Sequence, residues 1–358
     1  MPHRILVTGS GGIGGVNFIT ALKSTSEKYF ITGTDFNKYY LEFPQVDLKY
    51  QTPRHSDPKF LPMIKKIIDD NDIQFLHPSP HSEAAVIAKN KDQINASTYL
   101  PNYDIIIKDK LDTQEILERN SLPVAKTEVI SSLDEIESTK EKLPSAKVWV
   151  RMKSGAGGKL SLLCESSTEI QNWIELWVNR GVSTYSDFMI QEYLPGKNIA
   201  FDSLWHNGKF IASYTRERLE YPFKHISPSG ITGTPTVSRI IKDEKINEIS
   251  KQAILSVDSK PHGSYAVDLK GDSSGHPNIT EIDSGKFHTT TPVWGLAAIK
   301  LKLDDKKNLP DYYCKLGLNL VEPETLGSDI YPDDLYLLRH IDTGTWLWKE
   351  DGYKVKIL

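Results

Sequence analysis

The chain is 358 residues long, 39% hydrophobic and 25% charged, with a formal charge of −4. That length predicts two or three domains with a core large enough to need no covalent staples. The slight acidic balance excludes an overall basic field for nucleic acid or an anionic membrane, and two cysteines, Cys164 and Cys314, exclude a disulfide framework.

In chain order, residues 1–5 run straight into a strand pattern with no signal peptide in view, and no apolar stretch reaches the roughly 18–20 residues of a membrane span. A cytoplasmic protein is expected. Residues 4–8 predict a buried strand, 15–23 a helix, 29–34 a strand ending at Asp35, 62–70 a helix, 73–77 a third strand and 82–91 a helix. This alternation predicts a parallel sheet with helices on its faces, ending near Lys108. Asp109 is the expected N-cap of a helix over 109–120, stopped by Pro123. A helix over 131–141, strands at 148–151 and 160–164 around a glycine loop, and a helix over 169–178 predict a small α+β lid. Strands follow at 188–193, 199–205 and 210–215, the last two joined at Asn207-Gly208. A Gly/Ser/Pro-rich loop at 221–236, a helix over 245–257 and strands at 264–269 and 278–282 complete this part. From Asp304 onward the chain reads as a polar extension bearing Tyr and Trp, without legible chemistry.

Gly9-Ser10-Gly11-Gly12-Ile13-Gly14 fits G-x-G-x-x-G between a strand and a helix, and Asp35 ends the next strand, near where an NAD site places its ribose acid. The competing reading is close helix–strand packing with no dinucleotide. Tyr193 and Lys197 have the Tyr-x-x-x-Lys spacing of short-chain dehydrogenases. Pro195-Gly196 between them breaks the helix that would align the pair.

Arg151, at a strand end, precedes Ser154-Gly155-Ala156-Gly157-Gly158. Glycines let a hairpin loop lay its N–H groups against phosphate oxygens, and a basic group there adds charge; a plain hairpin turn reads equally well. Residues 190–196 suit a hinge whose backbone reads an adenine edge, or an ordinary strand end. Glu281 and Asp283 share one strand face, and a hairpin brings Asp268 beside them. Three carboxylates together are costly without a cation, and such oxygens suit Mg²⁺ bridging nucleotide phosphates. The alternative is a solvated acidic face, with Val267, Leu269, Ile279 and Ile282 packing the other side.

In order and spacing, this set resembles the ATP-grasp superfamily over most of residues 1–300, most like biotin carboxylase, the large subunit of carbamoyl-phosphate synthetase and the single-chain carboxylate–amine ligases. The resemblance implies an α/β fold class. A Rossmann-like pre-ATP-grasp domain (1–108) would precede two α+β subdomains, a lid (109–184) and a core with the metal site (185–303), and a C-terminal extension (304–358). In that first domain the family's glycine turn usually holds no NAD. Residues 77–83 resemble a segment that helps form the substrate pocket. Asp109-Lys110 resembles the family's helix start, whose lysine contacts ATP phosphates. Residues 148–159 resemble its strand and lid loop, implying nucleotide contacts from Arg151, Lys153, Ser154, Gly155, Gly157 and Gly158. Residues 191–196 resemble the adenine hinge, implying Gln191, Glu192, Tyr193 and Leu194. Asn198 and Asp202 fall at ribose-contacting and supporting positions. Residues 281–287 (EIDSGKF) resemble the metal-binding Glu-x-Asn-x-Gly-Arg-Phe segment, implying Asp268, Glu281 and Asp283 as Mg²⁺ ligands.

This sequence departs from the family at three positions. Arg151 stands where most members have lysine, Asp283 where they have asparagine, and Lys286 where they have arginine, which loosens a bidentate grip on an acyl phosphate or carboxylate. Arg216 falls where related ligases turn a basic residue to the transferring phosphoryl group; a surface pair with Glu217 is the alternative. His288 and residues 289–291 follow the metal segment, where an acceptor pocket would be lined.

The implied function is an ATP-dependent ligase joining a carboxylate to an amine through an acyl phosphate, with ATP and Mg²⁺ as cofactors. Arg151, Arg216 and Lys286 are its expected catalytic groups. Its partners would be small-molecule carboxylate and amine substrates, with neither nucleic acid nor membrane, and a homodimer is left open. Three rivals stand beside it. One is carbamoyl-phosphate-synthetase-like transfer to bicarbonate or a small metabolite. The others are an NAD-dependent oxidoreductase built on the N-terminal glycines, and a non-catalytic nucleotide sensor.

Overall fold

The computed structural model describes residues 1–153, 160–227, 230–340 and 344–357. The chain begins with β1 (His3–Thr8), α1 (Ile13–Lys23), β2 (Tyr29–Asp35), β3 (Leu48–Gln51), α2 (Phe60–Asp70), β4 (Phe75–Pro78) and α3 (His81–Lys89). The four strands form one parallel sheet in the order β3-β2-β1-β4. Alternate side chains of β1 feed two cores. Leu6 packs with α2 residues Phe60, Ile64 and Ile68 on one face, while Ile5 and Val7 pack with α1 on the other. A sheet covered on both faces needs such apolar runs. The strand β3 was not expected; its half-exposed LKYQ lacks the apolar run that marks the other three.

A short α4 (Tyr103–Ile106) leads to α5 (Lys110–Arg119), whose N-cap Asp109 accepts from Asp112 N–H at 2.8 Å, as expected. The next sheet is antiparallel, in the order β5-β8-β6-β7. Its strands are β5 (Thr127–Val129), β6 (Val148–Met152), β7 (Leu162–Cys164) and β8 (Phe188–Glu192); α6 (Ile136–Glu141) and α7 (Ser167–Asn179) cover one face. Val148, Val150, Phe188 and Ile190 close a separate core with Ile170 and Ile174 of α7. The glycine loop, including Ser154, Gly155, Gly157 and Gly158, lies outside the described residues.

The largest sheet has eight strands in the order β13-β12-β9-β10-β11-β14-β15-β16. They are β9 (Asn198–His206), β10 (Lys209–Glu220), β11 (Val237–Ile241), β12 (Gly263–Gly271), β13 (Pro277–Ser284), β14 (Tyr336–His340), β15 (Gly344–Trp348) and β16 (Lys354–Lys356), with α8 (Glu244–Val257), α9 (Thr291–Lys300) and α10 (Leu309–Gly317) between them. Ile199, Phe201, Val267 and Leu269 pack one face against Ile246 and Ile254 of α8. The polar extension read from Asp304 onward turns out to be structural. Tyr312 and Tyr313 of α10 and Leu337 of β14 share a core with Ile5, Val7 and Phe18.

Candidate active site

Four adjacent strands place their polar residues on one face of the large sheet. The register sets Glu281 beside Asp268, Asp268 beside Ala200 and Ala200 beside Arg216. One step along, Asp283 faces Ala266, which faces Asp202. Side chains two apart share a face, so Asp268 and Lys270, Asp202 and Asn198, and Arg216 and Arg218 all project together. Glu217, between the arginines, points away and pairs with Arg239 at 2.7 Å.

The expected acidic trio is not a bare cluster. Each carboxylate holds its own cation. Arg218 grips Asp268 bidentately at 2.5 and 2.8 Å. Lys110, at the start of α5, lies 3.0 Å from one oxygen of Glu281, and Arg151, at the end of β6, lies 3.1 Å from the other. Lys286 pairs with Asp283 at 3.1 Å. Among the described residues no group of three His, Cys, Asp or Glu side chains forms a ready metal nest. The donor type still fits: hard carboxylate oxygens gathered on one face are what Mg²⁺ takes.

Behind this layer lies a triad of Asp202, Arg216 and His288, the first two buried. His288 Nδ1 is 2.7 Å from Asp202 Oδ1, and Arg216 donates through Nε to Asp202 Oδ2 at 3.2 Å. Burial works against the charge on His288, but Asp202, with Asp283 and Asp268 beyond it, outweighs burial and lifts its pKa to about 9. Burial would likewise raise Asp202; Arg216 and His288 hold it far below the usual carboxylate range. His288 Nε2 points to Asp283 and Asp268 at 3.7 and 3.8 Å. Arg216 is 1% exposed, and its Nη1 is buried without a hydrogen-bond partner among the described residues.

These groups line a cavity of about 530 Å³, within the usual range for small-molecule sites. Trp149, Arg151 and residues 191–194 close it from the lid sheet, and Gly12, Gly14, Ser79 and His81 from the parallel sheet. Arg151, Arg216, Arg218, Lys270, Lys286 and the charged His288 face Glu192, Asp268, Glu281 and Asp283, six positive charges against four negative. The surplus suits a polyanion.

No protein-family model matches the sequence, and no curated protein does. Solved structures match it across nearly its whole length. The biotin carboxylase domain of Hydrogenobacter thermophilus 2-oxoglutarate carboxylase, a dimer in complex with MgADP, ADP and bicarbonate, superposes with a TM-score of 0.70 at 14% identity, over 94% of this chain and 74% of that one. N5-carboxyaminoimidazole synthetase from Staphylococcus aureus, complexed with ADP, gives 0.68 at 15% identity, over 95% and 83%. L-amino acid ligase from Bacillus licheniformis gives 0.65 at 12% identity, over 94% and 78%.

The chain has the ATP-grasp fold.

Within that fold, the lid-borne Arg151 and the sheet-borne Glu281 meet across one cleft. Asn198, the intended ribose contact, donates to Tyr221 OH at 3.0 Å and accepts from Arg218 at 3.4 Å. Gln191 is 4% exposed and donates to Thr127, while its oxygen faces Arg151 at 3.4 Å. Glu192 accepts from Lys126 N–H at 2.7 Å, so its carboxylate is committed to the lid sheet. Tyr193 N–H donates to Ser145, and Leu194 is buried. Lys153 is half-buried at the last described position before the glycine loop.

Two expectations change. His77 is not in the pocket: it stacks on Phe18 at 3.7 Å, and burial pushes its pKa down to about 3, so it is a neutral core residue. The ribose acid of the dinucleotide reading, Asp35, is 4% exposed and accepts from Gly11 and Asn37 N–H groups. A Cβ at Gly11 would meet the Tyr40 carbonyl oxygen at 2.3 Å, so residues 36–43 fill the space beside the loop. Gly11 and Gly15 pack against backbone there while Gly12 and Gly14 line the cavity, and Tyr193 and Lys197 lie between β8 and β9, not on a helix. Sequence reasoning missed Trp149, Lys270 and Tyr221 as cavity residues. The alternation of β12 was the available signal for Lys270, which stands two residues beyond Asp268.

Proposed function

We propose that this chain is an ATP-dependent ligase that activates a small carboxylate as an acyl phosphate and joins it to an amine. The supporting observation is the convergence of Lys110 of α5 and Arg151 of β6 on Glu281 of the large sheet, which brings two cations to one point of a positively charged cavity. Lys110, Arg151 and the loop at 154–158 would hold the triphosphate. Asp268, Glu281 and Asp283 would hold Mg²⁺, which when bound neutralises phosphate charge. A carboxylate oxygen attacks the γ-phosphorus, and the bridging oxygen leaves on ADP. The amine nitrogen then attacks the acyl carbon, losing a proton to solvent as phosphate departs. Arg216, fixed by Asp202, would add its positive charge beside the transferring group, and Lys286 with His288 would steady the acceptor carboxylate. Catalysis of this kind is positioning and charge stabilisation and needs no nucleophilic side chain.

The buried, occupied Asp35 counts against the oxidoreductase alternative. One structural neighbour in complex with bicarbonate and another that is an L-amino acid ligase keep both acceptor classes open. The test is ADP release from MgATP by the full chain against a panel of carboxylates, bicarbonate included, each with and without amines. Release that needs both partners supports the ligase. Release with bicarbonate or a metabolite alone favours a kinase-like transfer. A thermal shift with NAD and none with MgATP would sink the nucleotide reading.

A further inference from the structure

The cavity is charged inside and apolar at its rim. Eight of the fourteen exposed large hydrophobic side chains among the described residues fall in two short stretches, 13–43 and 219–226, and both stretches border the cavity. Ile13, 55% exposed, stands between the lining residues Gly12 and Gly14 at the start of α1. Tyr40 lies against Gly11, and its ring is 5.6 Å from that of Phe43, which is 63% exposed. Phe223 and Ile226, also exposed, belong to the segment between the lining residues Tyr221 and Ile231. The two stretches come together at Thr289. Thr234 Oγ1 is 2.6 Å from Thr289 Oγ1, and a Cβ on Gly14 would lie 3.9 Å from Thr289 Cγ2. Thr289 directly follows His288, so the apolar rim begins one residue beyond a cation of the cavity.

A concentration of exposed apolar side chains marks a surface that something covers. A second copy of the chain seated there would close the mouth against substrates, so the occupant that fits is a substrate. A cavity of about 530 Å³ is the size of a site for one small molecule; with a nucleotide inside, the other substrate has to reach over the rim. The glycines leave bare backbone on that route: a Cβ on Gly12 would meet nothing nearer than the Gly9 carbonyl oxygen at 3.5 Å. Resting on the ligase reading of this cavity, we propose that the carboxylate substrate is an amphipathic acid, its carboxylate held by Lys286 and His288 and its alkyl or aryl body laid across Gly12 onto Ile13, Tyr40 and Phe43. The cations take the charged end, and the rim removes the apolar end from water. A site of this kind prefers long acids to short ones and gains nothing from bicarbonate, which has no body to lay on the rim.

The test is calorimetric titration of the full chain, in the presence of MgADP, with butanoate, octanoate and octylamine, which has the same tail and the opposite charge. Affinity should rise about twofold for each methylene, roughly half of what full burial gives, so octanoate should bind about sixteenfold tighter than butanoate. Octylamine should not compete with octanoate. Gly12 has φ −70° and ψ 159°, an extended conformation open to any residue, so G12L places bulk on the route and should bring the octanoate-to-butanoate ratio to within about twofold. F43S should lower the same ratio about threefold from the rim, and it tests the proposal alone should G12L melt early. Equal affinity for the two acids, competition by octylamine, or a ratio that survives both G12L and F43S would overturn it. So would a dimer in sedimentation that F43S dissolves with the ratio intact, which would make the patch an interface between copies. Binding of MgADP with no gain from butanoate to octanoate sinks this inference alone; a chain that binds neither MgADP nor any of the acids sinks the ligase reading itself.

Discussion

The same residue type does different work at Glu281 and Asp202, and burial decides which. Glu281 is about one-fifth exposed and ties two elements together through Lys110 and Arg151. Glu281→Gln keeps the shape and removes the charge; it is expected to cut MgATP turnover at least about a hundredfold while shifting the melting temperature by only a few degrees, read by ADP release and calorimetry. Asp202 is 3% exposed between the buried Arg216 and the partly buried His288. Asp202→Asn leaves the buried Arg216 without its carboxylate partner and should cost roughly 3–5 kcal/mol, measured by denaturant unfolding. A second buried acid, Glu83, sits under the glycine loop at 6% exposure, and burial, with Asp35 adding to it, pushes its pKa up to about 7. A raised pKa means the folded state favours the protonated form. The stabilisation is therefore whole below about pH 4.5 and is lost as pH rises through 7. Glu83→Gln should flatten that slope, worth on the order of 2–3 kcal/mol, and a stability profile of the variant that still falls between pH 4.5 and 7 would refute the assignment.

Among the elements, the join of β8 to β9 carries the lid on the large sheet. Gly196 N–H donates to Gly271 O, and Gly271 N–H donates to Lys197 O at 3.0 Å. A Cβ at Gly196 would meet the Gly271 carbonyl oxygen at 2.7 Å. Gly196→Ala should therefore part the hinge from β12 and raise the KM for ATP several-fold more than it lowers the melting temperature would suggest; steady-state kinetics beside a thermal melt separates the two effects. Elements with strong local signals were readable in advance. Asp109 caps α5, the period-2 runs became β9, β12 and β13, and Pro195-Gly196 broke the chain as expected. Weakly patterned elements were not. In β11 and β14, mixed polar and apolar residues acquire their meaning only from the neighbours they pair with. Helix α9 is buried all round, so its sequence carries almost no amphipathic stripe.

At the scale of the whole molecule, the described residues from Asp304 onward help build the core. Leu335, Leu337, Leu347 and Ile357 pack in the same cluster as Ile5 and Phe18, and β14 extends the sheet from β11. Truncation after residue 333 should leave a chain that neither refolds nor gives a cooperative melt, whereas an independent appendage would leave activity intact; soluble yield and circular dichroism decide between them. Among the described residues no helix is long and apolar enough to cross a membrane.

The order of the β and α signals, the cap at Asp109 and the spacing of Glu281 and Asp283 are local, because backbone preference and side-chain period act over a few residues. Those features by themselves determined the fold class and which carboxylates share one face of the candidate site. Which cation meets which carboxylate was decided by tertiary structure alone. Arg218 lies 50 residues from Asp268 and Arg151 lies 130 from Glu281, and only strand register and the lid's approach bring them within bonding distance. The same holds for the glycine turn: its pattern admits a dinucleotide, and it is the Tyr40 backbone, folded against Gly11, that takes the space.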